Sequence, residues 1–261
     1  MTLANRSNVV SSFTVIKGTM IEETYAVFAH WDFALTKRRN FDRLRDENYI
    51  GATSSTWLRD VAKVLNRRYE PADRDRSLVL LAKQGCPIGE WKPLLLWHMT
   101  RDEFLLRDFL ENWLFDAFEG GVYRVTPQEL DDYLRELGKR GAIVEHEWSD
   151  ATRRRVAAGL LKAAADFGLL HGTVAKKFAS YHLPERSFLY VLHALRDSGL
   201  SPQKAIGSPE WRMFLARPAD VEQEILRLHQ YKKLHYEVAG SLVELSLPNG
   251  SALEYAEAMA S

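Results

Sequence analysis

The stretch TKRRNFDRLRDENYIGATSSTWLRDVAKVLNRR, Thr36 to Arg68, packs nine Lys and Arg into 33 residues of a chain whose formal net charge is zero. Its apolar residues recur at helical spacing. Phe41, Leu44 and Asn48 share one side of a helix expected over Leu35 to Tyr49, and the basic residues take the other side. Gly51 breaks that helix, because glycine enters the left-handed conformation that ends a helix without a Cβ penalty. Ser54 or Ser55 then offers an N-cap oxygen to a second helix with a buried stripe of Trp57, Val61, Val64 and Leu65, stopped by Pro71. Lys37, Arg38, Arg39 and Arg43 belong to the first helix, and Arg59, Lys63, Arg67 and Arg68 to the second. Cations four residues apart repel, and Asp42, Asp46 and Asp60 relieve part of that. A solvated face laced with ion pairs and a phosphate-binding face stand level on this pattern alone.

The helical period extends both ways. Upstream, Met20, Tyr25, Phe28 and Trp31 approximate one apolar face. Downstream, helices are expected at Arg74–Lys83, Trp91–His98, Asp102–Phe118 and Pro127–Lys139, the last opened by Thr126-Pro127 with Glu129. The segment GAIVEHEWSD, Gly141 to Asp150, leaves the helical period and reads as a domain boundary, with Ser149 capping a helix over Ala151–Phe167. Glu185–Asp197 and Pro218–Tyr231 read as helices, with short ones around Ala205 and Met213 opened by Ser201-Pro202 and Ser208-Pro209. The period then drops to about 2 in KLHYEVAGSLVELSL. A turn centred on Gly240-Ser241 pairs Val238 with Val243, Tyr236 with Leu245 and Leu234 with Leu247, all on one face. The expected fold is mainly α, in two helical domains over residues 1–148 and 149–261, with a terminal β-hairpin. A helix feeding into a hairpin is the layout of a winged helix and of many unrelated α+β modules.

With 261 residues and 46% hydrophobic content, the chain can bury a sizeable core, and it does not have a disordered composition. Residues 1–70 carry 11 basic and 8 acidic side chains, residues 71–150 carry 10 and 16, and residues 151–261 carry 14 and 11. Two mildly basic ends flank an acidic middle, and whether those ends meet on one surface stays open. The single cysteine, Cys86, excludes an intrachain disulfide and suits a reducing compartment. No signal-peptide pattern opens the sequence and the apolar run around Leu94 is too short for a bilayer, so a soluble cytoplasmic protein without membrane contact is expected.

Chemistry is harder to find. His30, His98, His146, His171, His182, His193, His229 and His235 form no helical zinc motif, and no carboxylate cluster suggests a metal. Phosphate loops and a GxSxG elbow are missing. Asp166-Phe167-Gly168 spells a kinase tripeptide at a helix end without the glycine-rich loop that would give it meaning. No enzymatic activity, cofactor or metal is expected. Arg153, Arg154 and Arg155 crowd the first turn of a helix, against the macrodipole, so acidic neighbours or a phosphate backbone must reward them. Together with Lys176 and Lys177 they complete the candidate DNA-binding set begun in the opening stretch. A winged-helix reader is opposed by the acidic start ADVEQE of the helix before the hairpin, and by a hairpin tip without Lys or Arg.

The run SSFTVIKGTMIEETYAVFAHWDF, followed by RRNFDRLRDENYIGATSSTWLRDVAKVLNRRY, resembles the BrxA family of BREX bacteriophage-resistance systems. Ser12, Phe13, Thr14, Gly18, Glu22 and Glu23 match its opening, Asn48 through Tyr69 its basic helix, and LLLWHMTRDEFLLRDFLENWLFDAF its central helices. The resemblance implies an accessory protein of two helical domains, the first like the antitermination factor NusB and the second winged-helix-like. It further implies binding to double-stranded DNA, no enzymatic activity, and other BREX proteins as partners. RNA binding through the NusB-like half is a lesser alternative. An adaptor that assembles defence components without touching nucleic acid is the competing class. No binding residue is carried over; the candidate set rests on charge placement.

Overall fold

The computed structural model describes residues 8–259 except 141, 145, 146 and 241. The expectations placed on Gly141, His146 and the turn residue Ser241 fall outside the described residues. The first part is a succession of helices: α1 (Phe13–Lys17), α2 (Ile21–Ala29), α3 (Lys37–Glu47), α4 (Ser55–Arg68), α5 (Arg76–Lys83) and α6 (Ile88–Thr100). Next come α7 (Phe104–Asp108), a π-helical stretch Phe109–Leu114 and α8 (Phe115–Glu119), which replace the uninterrupted α-helix expected there. A 3-10 turn at Pro127–Leu130 leads to α9 (Asp131–Arg135), and α10 spans Asp150–Asp166. Two short strands, β1 (Leu170–His171) and β2 (Lys177–Phe178), precede α11 (Glu185–Asp197), α12 (Pro202–Ile206), a 3-10 segment Pro209–Phe214 and α13 (Pro218–Gln230). A hairpin of β3 (His235–Ala239) and β4 (Leu242–Ser246) is followed by α14 (Ala252–Ala258). Among the described residues the protein is mainly helical, with two small antiparallel strand pairs. No helix among the described residues is long and apolar enough to cross a membrane.

Local chemistry accounts for most helix ends. The hydroxyls of Thr36, Ser54, Ser149 and Ser201 accept from the backbone N–H of Arg39, Trp57, Thr152 and Lys204, as N-caps do. The end of α3 differs from expectation. Asn48 adopts the left-handed conformation (φ 46°) and closes the turn on itself, its side chain accepting from Ala52 N at 2.8 Å and donating to Ala52 O at 3.0 Å. The helix therefore stops three residues before Gly51, at a residue type that tolerates this region. Met20 likewise stands outside α2 as a left-handed N-cap. The buried stripe of α4 is Leu58, Val61, Val64 and Leu65, and Trp57 is half-buried at its edge.

The hairpin forms in the expected register, with Tyr236 opposite Leu245 and Val238 opposite Val243. Its apolar face is covered only at the base. Leu234, Tyr236 and Leu245 are buried against the protein, while Val238 is exposed near the tip.

One apolar cluster includes residues from Val10 to Ala256, on both sides of position 148. At its centre α5, α6 and α11 share a buried polar relay. His98 Nδ1 lies 2.6 Å from Asp75 Oδ1, His98 Nε2 lies 2.7 Å from the Tyr190 hydroxyl, and that hydroxyl is hydrogen-bonded to Ser77. With Asp75 ionised, Nδ1 donates to it, Nε2 accepts from Tyr190, and the Tyr190 oxygen accepts from Ser77. Asp75 also accepts from Glu70 N at 2.7 Å and from Arg74. Burial opposes its ionisation, yet the bond from His98 and the charge of Arg74 hold its pKa low. Burial pulls the His98 pKa down against the pull of Asp75.

The folded protein thus refuses a proton that the unfolded chain takes up on His98 below about pH 6.5. Stability from this source is complete above that pH and falls as the pH drops, by up to about 1.4 kcal/mol per pH unit. In urea titrations between about pH 7 and 5, His98→Asn, whose amide can still donate to Asp75, is expected to lose stability less steeply than the wild type. His193, also held low by burial, titrates in both proteins, so equal slopes would rule His98 out.

Candidate nucleic-acid interface

Helix α1 brings the two basic regions together. Lys17 Nζ is 2.7 Å from Asp60 on α4, and Arg67 donates to Ser11 Oγ at 2.9 Å just before α1. On the other side α1 lies directly on α10, because Gly159 has no side chain. A Cβ there would stand 2.8 Å from Val15 Cγ1 and 3.0 Å from Val15 O. Residues 15–23, with Trp57 from α4 and Arg155, Gly159, Lys162 and Asp166 from α10, line a groove of about 640 Å³. Trp57 of α4 and Arg155 of α10 thus border the same groove, which Glu22, Glu23 and Asp166 also line.

The candidate cations separate into two groups. Lys37 donates to Asn66 O at 2.8 Å and to Glu70 at 2.9 Å, tying the start of α3 to the end of α4. Arg43 pairs with Glu47 at 2.9 Å one turn on, and this bond holds the Glu47 carboxyl below its ordinary pKa. Arg153 is buried, with Nε 2.9 Å from Asp131 and Nη2 on Asp150. The acidic middle therefore rewards this cation at the start of α10. Arg68 corrects the reading of outward-facing arginines. It is 1% exposed and donates to Thr19 O at 3.1 Å and Gly18 O at 2.7 Å, with Glu103 at 3.8 Å.

The second group faces solvent. Arg38, Arg39 and Arg154 are exposed, Arg59 reaches Thr56 Oγ1 at 3.2 Å, and Arg155 reaches the Ala151 carbonyl at 3.4 Å. Among the described residues none of these five guanidinium groups lies in a salt bridge. Lys63 is exposed on the same row of α4 as Arg59.

Lys176 and Lys177 lie elsewhere, on the β1–β2 ribbon. Lys176 Nζ donates to Gly172 O at 3.0 Å, and Lys177 Nζ donates to the Tyr123 hydroxyl at 2.5 Å while standing 4.4 Å from its ring centre. That hydrogen bond lowers the Tyr123 pKa. Residues 122–126 join the ribbon through a bridge between Val125 and Lys176, which places Arg124 beside the two lysines. Sequence reasoning missed Tyr123 and Arg124. The usable signal was the absence of Asp and Glu throughout residues 167–184 and 120–128.

Two further clusters emerge only in three dimensions. His235, Glu237 and Glu244 bring potential metal-ligand atoms within 4.8 Å of one another on the outer face of the hairpin, which amends the expectation of no such cluster; all three are exposed. The relay of Ser77, Tyr190, His98 and Asp75 borders a cleft of about 550 Å³. It has the composition of a nucleophilic triad but not the connectivity, since Tyr190 stands between the serine and the histidine. Cys86 is buried, and burial pushes its thiol up to about 11.

Arg68→Ala leaves the Gly18 and Thr19 carbonyls without these donors in a buried site. It is expected to lower the unfolding free energy by about 3 kcal/mol in urea denaturation. Arg38→Ala, at an exposed position, should stay within about 0.5 kcal/mol of the wild type.

No curated protein matches the chain. The model of the family described as BrxA matches residues 11–194, most of the chain, and the chain belongs to that family.

Proposed function

We propose that this BrxA-family member, a component of a BREX phage-defence system, is a non-enzymatic DNA-binding accessory factor that grips duplex DNA mainly through its phosphates. The observation that carries this reading is the set of exposed arginines on α3, α4 and α10 that lie in no salt bridge among the described residues: Arg38, Arg39, Arg59, Arg154 and Arg155. Guanidinium groups match phosphate geometry, and contacts of this kind position a protein on DNA without reading its sequence. Little base readout is expected, because α13 carries Asp220, Glu222 and Glu224 where a recognition helix would need cations. A NusB-like first domain and a winged-helix-like second domain divided after residue 148, and a cytoplasmic location, belong to the same proposal.

An adaptor that docks other defence proteins is the second reading. It is favoured by Val238 and Leu242, apolar residues exposed near a hairpin tip that has no cation.

Fluorescence anisotropy with duplex DNA at several salt concentrations separates the readings. The wild type should bind with a steep salt dependence. Replacing Arg39, Arg59, Arg154 and Arg155 together by Gln should weaken binding about 10-fold or more and flatten the slope by about 0.9 per lost phosphate contact. A wild type that shifts no duplex even at low salt overturns DNA binding in favour of the adaptor. Preferential competition by single-stranded RNA would redirect the reading to RNA.

A further inference from the structure

We infer that the β1–β2 ribbon, with residues 122–126 alongside it, is a separate DNA contact that enters a groove of the duplex. The inference rests on the DNA-binding reading above and adds a site to it.

The ribbon is built as a firm projection. Leu170 pairs with Phe178 and His171 with Lys177, and Ala179 N donates to Leu169 O at 3.0 Å below them. Val125 exchanges both backbone bonds with Lys176, at 2.8 and 2.9 Å. Leu169, Leu170 and Val125 are buried at the base, and Phe178 packs on Phe118 with ring centres 5.5 Å apart. The turn demands glycine: Gly172 has φ 102°, and a Cβ there would meet Ala175 O at 2.8 Å.

On this base stand residues with no structural need to face water. Val174 is 86% exposed and Tyr123 is 72% exposed. Around them are Arg124, Lys176 and Lys177, with His171 also exposed, and among the described residues none of the three cations lies in a salt bridge. The surrounding sequence offers no carboxylate, unlike residues 36–68, where Asp and Glu alternate with the cations. A local excess of positive charge without internal compensation matches a polyanion. The major groove of B-DNA, about 12 Å wide, admits a two-stranded ribbon. Arg124, Lys176 and Lys177 would then meet phosphates, while the valine and the tyrosine ring supply apolar contact within the groove.

The test uses the full chain with Val174→Cys carrying a fluorophore; the native Cys86 is buried and does not compete for the label. Duplex DNA is expected to shield the label from iodide quenching. The triple variant Arg124→Gln, Lys176→Gln and Lys177→Gln is expected to bind duplex about 10-fold more weakly with a flatter salt slope, and to keep the wild-type melting temperature. If the wild type binds duplex while the label stays fully quenchable and the triple variant binds equally well, the ribbon contact is wrong and the DNA-binding reading stands. If the wild type binds no duplex, both fall. Shielding by polyglutamate but not by duplex would overturn this contact in favour of an acidic protein partner.

Discussion

The hydrogen bond between Tyr190 and His98 joins a helix of the second half of the chain to one of the first. It extends through Asp75 and Ser77 to α5, so three helices share one buried chain of donors and acceptors. Apolar contacts tolerate sliding and rotation, whereas hydrogen bonds in a low-dielectric interior are directional and costly to leave unmade. The relay therefore specifies how α11 sits on α5 and α6, and the surrounding cluster packs to fit. Neighbouring bonds point the same way. Ser187 donates to the Glu90 carbonyl at 2.7 Å, and the Trp97 indole donates to Glu210 at 2.7 Å, each joining the two halves again.

Charge follows a similar logic. The opening basic stretch looks like a polyanion site when its cations are counted, but Lys37 and Arg43 have acidic partners and Arg68 is inside. The same holds at the start of α10, where Arg153 is turned inward onto Asp131 and Asp150 while Arg154 and Arg155 face out. A cation's availability depends on the distance to its nearest carboxylate, which linear spacing reveals only within one helix. The ribbon cations are few, but among the described residues none of them lies in a salt bridge.

Much of the fold was legible because its signals are local. Caps at Ser54, Ser149 and Ser201 and the register of Tyr236 on Leu245 follow from side-chain chemistry and spacing within a few residues. The elements that escaped are short ones. Helix α1 has five residues and β1 and β2 have two each, too few to establish a period. They are held by contacts far along the chain, such as Val15 on Gly159 and Val125 on Lys176. The π-helical stretch is similar, since one extra residue per turn hardly disturbs an apolar pattern that is buried on several sides.

Local spacing settled that this protein is helical, where most helices start, and how its terminal hairpin pairs, because those outcomes depend on neighbours in sequence. It also placed cations on helix faces. Tertiary structure decided which of them are available, by setting Arg68 against the carbonyls of Gly18 and Thr19, Lys37 against Glu70, and Lys177 beside an exposed tyrosine. The Coulomb and desolvation energies that govern a charge depend on distances through space. Those distances exist only once α1 is seated between α4 and α10 and the ribbon has closed on residues 122–126.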